Sequence, residues 1–160
     1  MEIIFTLSKE HPTLPKAEVE SVLTAENVPF EMKHETNGIL SVKIPENCLK
    51  SIETMGKRFS HVHEVCRLLF ETDRTDLISK IKEYPWNKLI AKDYAVRIKK
   101  MDKGEKFSTS DLEWEIGGII TGKVSQEVKV NLKDPSTFLR LMFINGRVLE
   151  VYFYFLGNLS

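Results

Sequence analysis

Hydrophobic and polar positions alternate along this chain in two successive blocks. Residues 1–7, MEIIFTL, form a short apolar run that reads as a strand. Residues 11–28, HPTLPKAEVESVLTAENV, carry helix signals: Thr13 at the N-cap, Pro15 just inside, and Val19, Val22 and Leu23 on one face. In PFEMKHETNGILSVKIP, Asn37-Gly38 supplies the two positive-φ residues of a type I′ turn. Ile39, Leu40, Val42 and Ile44 mark the return strand. Leu49, Ile52 and Met55 share a face of a short helix that ends near Gly56, and HVHEVCRLLFET is a strand rich in branched residues. The order β-α-β-β-α-β predicts a ferredoxin-like unit over residues 1–74.

Residues 75–92 read as a helical linker. Leu77, Ile78 and Ile81 suggest a helix, and Pro85 stops it. A second, α/β unit is expected over 93–160, giving an α+β chain of two modules. Val96 and Ile98 alternate with Arg97 and Lys99, which makes a strand with one basic face. A polar loop, DKGEKFSTS, leads into the helix SDLEWEIGGIITGKV. Val128 to Leu132 reads as a short strand ended by Asp134-Pro135, and Asn145-Gly146 tips a closing hairpin of two strongly apolar strands.

Composition narrows the field. The chain has 160 residues, 42% hydrophobic and 29% charged, in the range of globular domains, and no apolar run approaches a membrane span. The start, MEIIFTLSKEHP, lacks a basic n-region and a small-residue cleavage site, so no signal peptide is expected. Two cysteines, Cys48 and Cys66, with no C-x-x-C fit a reducing cytosol. Formal net charge is zero, so any nucleic-acid binding must come from a local patch. The densest positive segment is RIKKMDKGEK, residues 97–106, which charge alone also allows as a solvated strand end and loop.

The stretch EIGGIITGKV, residues 115–124, has the G-x-x-x-x-G-K spacing of a phosphate loop. Such a loop must precede a helix, so that backbone N–H groups and the helix N-terminus face the anion. Here Ser110 and Glu113 read as a capping box, and Leu112, Ile116, Ile119 and Ile120 already form a helical face. Position 124 is Val where the loop needs a hydroxyl. The glycines therefore belong to a helix. Two adjacent glycines cost it about 1 kcal/mol each relative to Ala. Either close packing of the helix on the sheet or close approach of a ligand must offset that, and physics alone favours packing. Gly122 reads as the C-cap.

Other constellations are bland. His61-x-His63 lies on one strand face, but nothing near it in sequence completes a metal site. Cys66 reads as a small core residue. In EVYFYF, Val151, Phe153 and Phe155 share one face and Tyr152 and Tyr154 the other, which suits core and cross-strand packing better than base stacking. No catalytic set, no metal and no cofactor are expected in this chain.

The second block resembles a THUMP domain, an RNA-binding module of tRNA-modifying enzymes. The residues that carry the likeness are YAVRIKKM, SDLEWEIGGII and VKVNLKDPSTFLRLMFINGRVLEVYF: a basic strand, a helix with I-G-G-I, V-x-L-x-x-P and a closing hairpin. The N-terminal MEIIFTLSKEHPTLPKAEVESVLTAENV also resembles the start of the archaeal tRNA guanosine N2-methyltransferases that act at position ten. Those proteins continue into a methyltransferase domain whose glycine-rich S-adenosylmethionine loop and Asp/Asn-Pro-Pro-Tyr/Phe motif do not occur here.

The resemblance implies a cytoplasmic tRNA-binding module that holds the acceptor end, near its unpaired 3′ tail. Catalysis and S-adenosylmethionine would then belong to a domain or subunit outside this chain. Candidate contacts to RNA are Arg97, Lys99, Lys100, Lys103, Lys106, Lys123 and Arg140, with Gly117 and Gly118 letting a sugar-phosphate chain lie near the helix. With the resemblance, packing and RNA approach become equal explanations of those glycines. The alternative is a stand-alone adaptor that docks a separate methyltransferase or acetyltransferase. Exposed apolar surface on the first unit or on YFYFLGNLS would favour it.

Overall fold

A computed structural model describes residues 1–156, and the side chains of residues 1–152. It divides into two compact units: Met1–Leu68 with the end of the last strand from Phe153, and Leu69–Tyr152.

In the first unit, β1 (Glu2–Leu7), α1 (Leu14–Ala25), β2 (Glu31–Thr36), β3 (Ile39–Lys43), α2 (Leu49–Met55) and β4 (Val62–Asp73) follow in order. The strands lie β2-β3-β1-β4, with every neighbouring pair antiparallel. This is the ferredoxin-like arrangement that the alternation predicts. The β2–β3 turn has Asn37 at φ 48° and Gly38 at φ 76°, as a type I′ turn requires. A Cβ on Gly38 would also come within 3.0 Å of the Lys9 side chain and 3.4 Å of the Leu7 carbonyl. Its core holds Ile3, Phe5, Val19, Leu23, Val42, Ile52 and Val65, all essentially buried.

In the second unit, α3 (Leu77–Glu83), β5 (Asp93–Lys100), α4 (Thr109–Lys123), β6 (Lys129–Val130), β7 (Thr137–Ile144) and β8 (Arg147–Leu156) build a mixed sheet ordered β8-β7-β5-β6. β5 runs parallel to both β6 and β7, and β7–β8 is the Asn145-Gly146 hairpin, at φ 50° and 74°. One face of the sheet (Tyr94, Val96, Leu139, Leu141, Phe143, Val148) packs on Leu112, Ile116 and Ile120 of α4 and on Leu77 and Ile81 of α3. Trp86 is buried among them and donates its indole N–H to the Ile81 carbonyl at 2.7 Å.

β6 is shorter than the Val128–Leu132 strand that the alternation suggests. The Asn131 backbone N–H still reaches the Tyr94 carbonyl at 2.9 Å, but its side chain turns to the following loop: its amide donates to Asp93 and to the Asp134 carbonyl, while its oxygen accepts from the Lys133 and Asp134 amides. Asp93 also accepts from the Ser136 amide at 2.6 Å, and these bonds, the Ser136 backbone one first, hold its carboxyl below the usual carboxylate range. The turn therefore docks back onto the start of β5, and Leu132 is left outside the sheet.

Candidate nucleic-acid interface

The glycine-bearing helix starts two residues before and ends two residues beyond where its sequence suggests. Ser108, not Ser110, is the N-cap, and its hydroxyl accepts the Asp111 amide at 3.3 Å. Glu113 makes no capping box. Its carboxylate instead accepts the Ile98 amide at 2.9 Å and lies 3.4 Å from the Arg97 guanidinium. It thus satisfies the edge of β5 beyond the point where β6 ends. Gly122 is not the C-cap either, because α4 continues to Lys123 and buries Val124, 8% exposed, in the core. The Asn87 side chain closes that end, donating to the Lys123 carbonyl and accepting from the Ser125 amide.

Gly117 and Gly118 lie inside α4, and close packing does not account for them. A Cβ on Gly118 would meet nothing within 4 Å, and one on Gly117 only the Tyr94 hydroxyl at 4.0 Å. Both glycines instead line an open groove of about 570 Å³ between α4 and the β5–β6 edge. Its walls include Tyr94, Val96 and Arg97 of β5, Trp114 of α4, and Val130 and Leu132. Tyr94 joins the two elements: its hydroxyl donates to the Gly117 carbonyl at 2.7 Å and lies 2.6 Å from the Thr121 hydroxyl. Burial pushes its phenol above the ordinary value, so it stays protonated as the donor. Tyr94→Phe should therefore destabilise this unit by about 1 kcal/mol, the worth of one net hydrogen bond. A urea melt followed by Trp86 fluorescence reads that change, and an unchanged midpoint would deny the bond a role in stability.

The groove was only partly legible in the sequence. Trp114 falls off the Leu112–Ile116–Ile120 stripe and is 85% exposed. An aromatic residue opposite the apolar face of an amphipathic helix was the available signal. Val130 and Leu132, 55% and 56% exposed, read as an ordinary strand face because nothing in the local pattern says that β6 ends after two residues.

The basic candidates do not all reach one place. Lys103 and Lys106 are exposed in the loop before α4, and Lys123 is exposed at its other end. A helix of 15 residues separates those ends by roughly 20 Å. Lys99 is exposed on β5. Arg97 lines the groove but is partly neutralised by Glu113. Lys100 is turned inward, donating to the Phe107 carbonyl at 2.7 Å with its ammonium 4.3 Å from the Phe107 ring centre, so it shapes the loop. Arg140 is in register with Arg97 and stands over Phe138, 5.8 Å from the ring centre, on the sheet face away from α4. β5 lies between it and the groove.

The remaining candidates fall into place outside this site. His61 meets His11 edge-on at 5.5 Å, His63 is exposed, and among the described residues no cluster of three or more His, Cys, Asp or Glu is placed to hold a metal ion. Cys66 is buried in β4. Tyr152 packs against the second core, while the side chains of Phe153, Tyr154 and Phe155, and the YFYFLGNLS surface apart from Tyr152, lie outside the described residues. No helix among the described residues is long and apolar enough to cross a membrane.

Residues 71–149 match the model of the THUMP domain. Over 149 residues, 93% of this chain, the sequence is 34% identical to a tRNA (guanine(10)-N2)-dimethyltransferase of Methanothermobacter thermautotrophicus. The chain spans 42% of that relative's length. The fold is shared with a Pyrococcus horikoshii Ot3 protein (TM-score 0.66, 13% identity, covering 95% of this chain and 53% of that one). It is shared too with a 4-thiouridine synthetase solved with RNA and ATP (TM-score 0.62, 16% identity, covering 95% and 40%). A third structure with the fold is TrmN from Thermus thermophilus (TM-score 0.65, 15% identity, covering 96% and 45%).

Proposed function

Because residues 71–149 of this chain are a THUMP domain, we propose that the chain is the tRNA-binding part of a tRNA (guanine-N2) methyltransferase. It holds the acceptor end near its unpaired 3′ tail while a catalytic domain or subunit works elsewhere on the same tRNA. The second unit makes the RNA contacts. On this reading the work is done in the cytoplasm and S-adenosylmethionine is bound by the catalytic part; the tRNA (guanine(10)-N2)-dimethyltransferase relative supports both.

The observation that carries this reading is the pair of glycines with open space above them. Among the described residues, nothing lies within 4 Å of a Cβ on Gly118 and only the Tyr94 hydroxyl borders one on Gly117, which supports space kept for something that arrives from outside. RNA fits the surroundings. Lys103 and Lys106 at one end of α4, Lys123 at the other, and Lys99 and Arg97 on β5 are the phosphate contacts of this reading, with Gly117 and Gly118 admitting the chain between them. Lys100 contributes by fixing the loop, and Arg140 is the outlying member.

Contacts of this kind position RNA without reading its sequence. Affinity should fall steeply with salt, with a log–log slope of about −0.7 per phosphate neutralised on a single strand. Replacing Lys103 and Lys106 together by Ala should reduce that slope by about one to two units and leave folding unchanged. A filter-binding or anisotropy series across salt concentrations measures it. Binding without salt dependence contradicts the phosphate contacts.

A stand-alone adaptor that docks a separate methyltransferase or acetyltransferase remains the second reading, and the apolar side chains of the groove are the observation that favours it. The nature of the groove's occupant decides between the two.

A further inference from the structure

We propose that the groove beside α4 is a subsite for one unpaired nucleobase, stacked on Trp114 and bounded by Val130 and Leu132. The inference rests on the RNA-binding reading above and adds where a base, rather than a phosphate, is held.

The chemistry of the walls is the first argument. Single exposed apolar side chains are ordinary on a protein surface. Here Trp114, Val130 and Leu132, from a helix and a strand edge, all line one groove of about 570 Å³. That volume lies within the range of small-ligand sites. A nucleobase has a flat π-face that stacks on an exposed aromatic ring with little regard to base identity.

A base also needs partners for its polar edge, and β5 offers them. Peptide groups of alternate residues along a strand point to the same side. Tyr94 directs its carbonyl to the Asn131 amide, and Ile98 directs its amide to Glu113. Val96 lies between them with the same orientation, and β6 pairs with β5 only at Asp93 and Tyr94. The Val96 N–H and C=O therefore face the groove, a donor and an acceptor of the kind a base edge requires.

Charge layout selects the occupant. The one cation lining the groove, Arg97, is held by Glu113. Lys106 lies two residues before the N-cap of α4 and Lys123 at its last residue, so cations stand beyond both ends of the groove, with Asp111, Glu113 and Glu115 between them on the first half of the helix. That order suits a single strand whose phosphates rest at the ends with a base between. Gly118, with nothing within 4 Å of its Cβ position, leaves room for the sugar.

Trp114 fluorescence tests this directly, because the other tryptophan, Trp86, is 1% exposed. The 160-residue chain is titrated with a short single-stranded RNA and with the same backbone lacking its bases. Intact RNA should quench Trp114 and the abasic strand should not. Trp114→Ala should weaken binding of the intact strand about tenfold or more, with Trp114→Phe retaining most of it. Equal binding of intact and abasic strands, unchanged by Trp114→Ala, overturns the subsite and leaves the RNA-binding reading standing. Failure of the wild-type chain to bind either strand or tRNA overturns that reading and the subsite with it. Quenching by an acidic apolar peptide but not by RNA overturns the base subsite and assigns the groove to a protein partner.

Discussion

Gly118→Ala should make the second unit more stable and its grip on RNA weaker. The two effects have separate causes. In the interior of α4 glycine lacks the restricted backbone of alanine and costs about 0.8–1.0 kcal/mol. A new Cβ at Gly118 meets nothing in the protein, so the gain is not spent on a clash. The same methyl projects into the groove, where the strand is proposed to lie closest to the helix, and a loss on the order of tenfold in RNA affinity is expected, equivalent to about 1.4 kcal/mol. Gly117→Ala should act likewise. Gly122→Ala is the control: its Cβ also meets nothing, but it does not line the groove, so it should stabilise without weakening RNA. Urea denaturation read by Trp86, with RNA anisotropy on the same variants, measures both effects. Stabilisation with unchanged affinity at Gly117 and Gly118 would remove the ligand-approach account of these residues.

Replacing Glu150 should produce the largest change in stability, and its sign depends on pH. Glu150 sits on β8 opposite Leu141, on the face that Val148 and Tyr152 turn to the second core. It is 0% exposed, and among the described residues neither carboxylate oxygen has a hydrogen-bond partner. Burial drives its carboxyl well above the usual carboxylate range. Below about pH 4.3, the ordinary glutamate value, folded and unfolded chains both hold the proton and burial of the neutral acid is least costly. As pH rises, the unfolded chain releases its proton and the folded chain keeps it. Stability from this group is therefore lost from about pH 4.3 upward until the native carboxyl itself ionises.

Glu150→Leu removes both the unpaired polar group and its titration. It should stabilise the unit at pH 7 by about 1–3 kcal/mol, the penalty of an unsatisfied buried group, and by less at pH 4.5. Glu150→Gln keeps an unpaired amide but should flatten the pH dependence. Melts from pH 4.5 to 8 on the three proteins test it. A pH dependence that is the same with and without Glu150 would show that the carboxyl is solvated or paired in solution.

Much of the fold is written in local pattern. A short apolar run marks β1, Ile39, Leu40, Val42 and Ile44 mark β3, and the Asn-Gly dipeptides at 37–38 and 145–146 fix both hairpins, because each demands two positive φ angles in a row. The caps of α4 are less legible. Ser108 and Ser110 are equally good caps in isolation, and the choice follows from Glu113, which the open edge of β5 recruits away from a capping box. The groove is the least legible feature. Its walls come from Tyr94, Trp114 and Leu132, far apart in sequence, and it exists because the ladder on β5 stops once the Asn131 N–H has reached the Tyr94 carbonyl, while the Asn131 side chain bonds to Asp93 and Asp134. Charge patterning likewise placed Arg97 and Lys99 together on a strand face, but the partnership of Arg97 with Glu113 depends on how helix and sheet pack.

The most direct measurement of the central claim is a competition between intact tRNA and the same tRNA without its unpaired 3′ tail for the 160-residue chain at moderate salt. If α4, its groove and the cations at its two ends hold a single-stranded RNA end, the shortened tRNA should compete at least tenfold less well. Gly118→Ala and Trp114→Ala should then narrow that difference toward unity. Equal competition by the two tRNAs would contradict the account, whatever the absolute affinity.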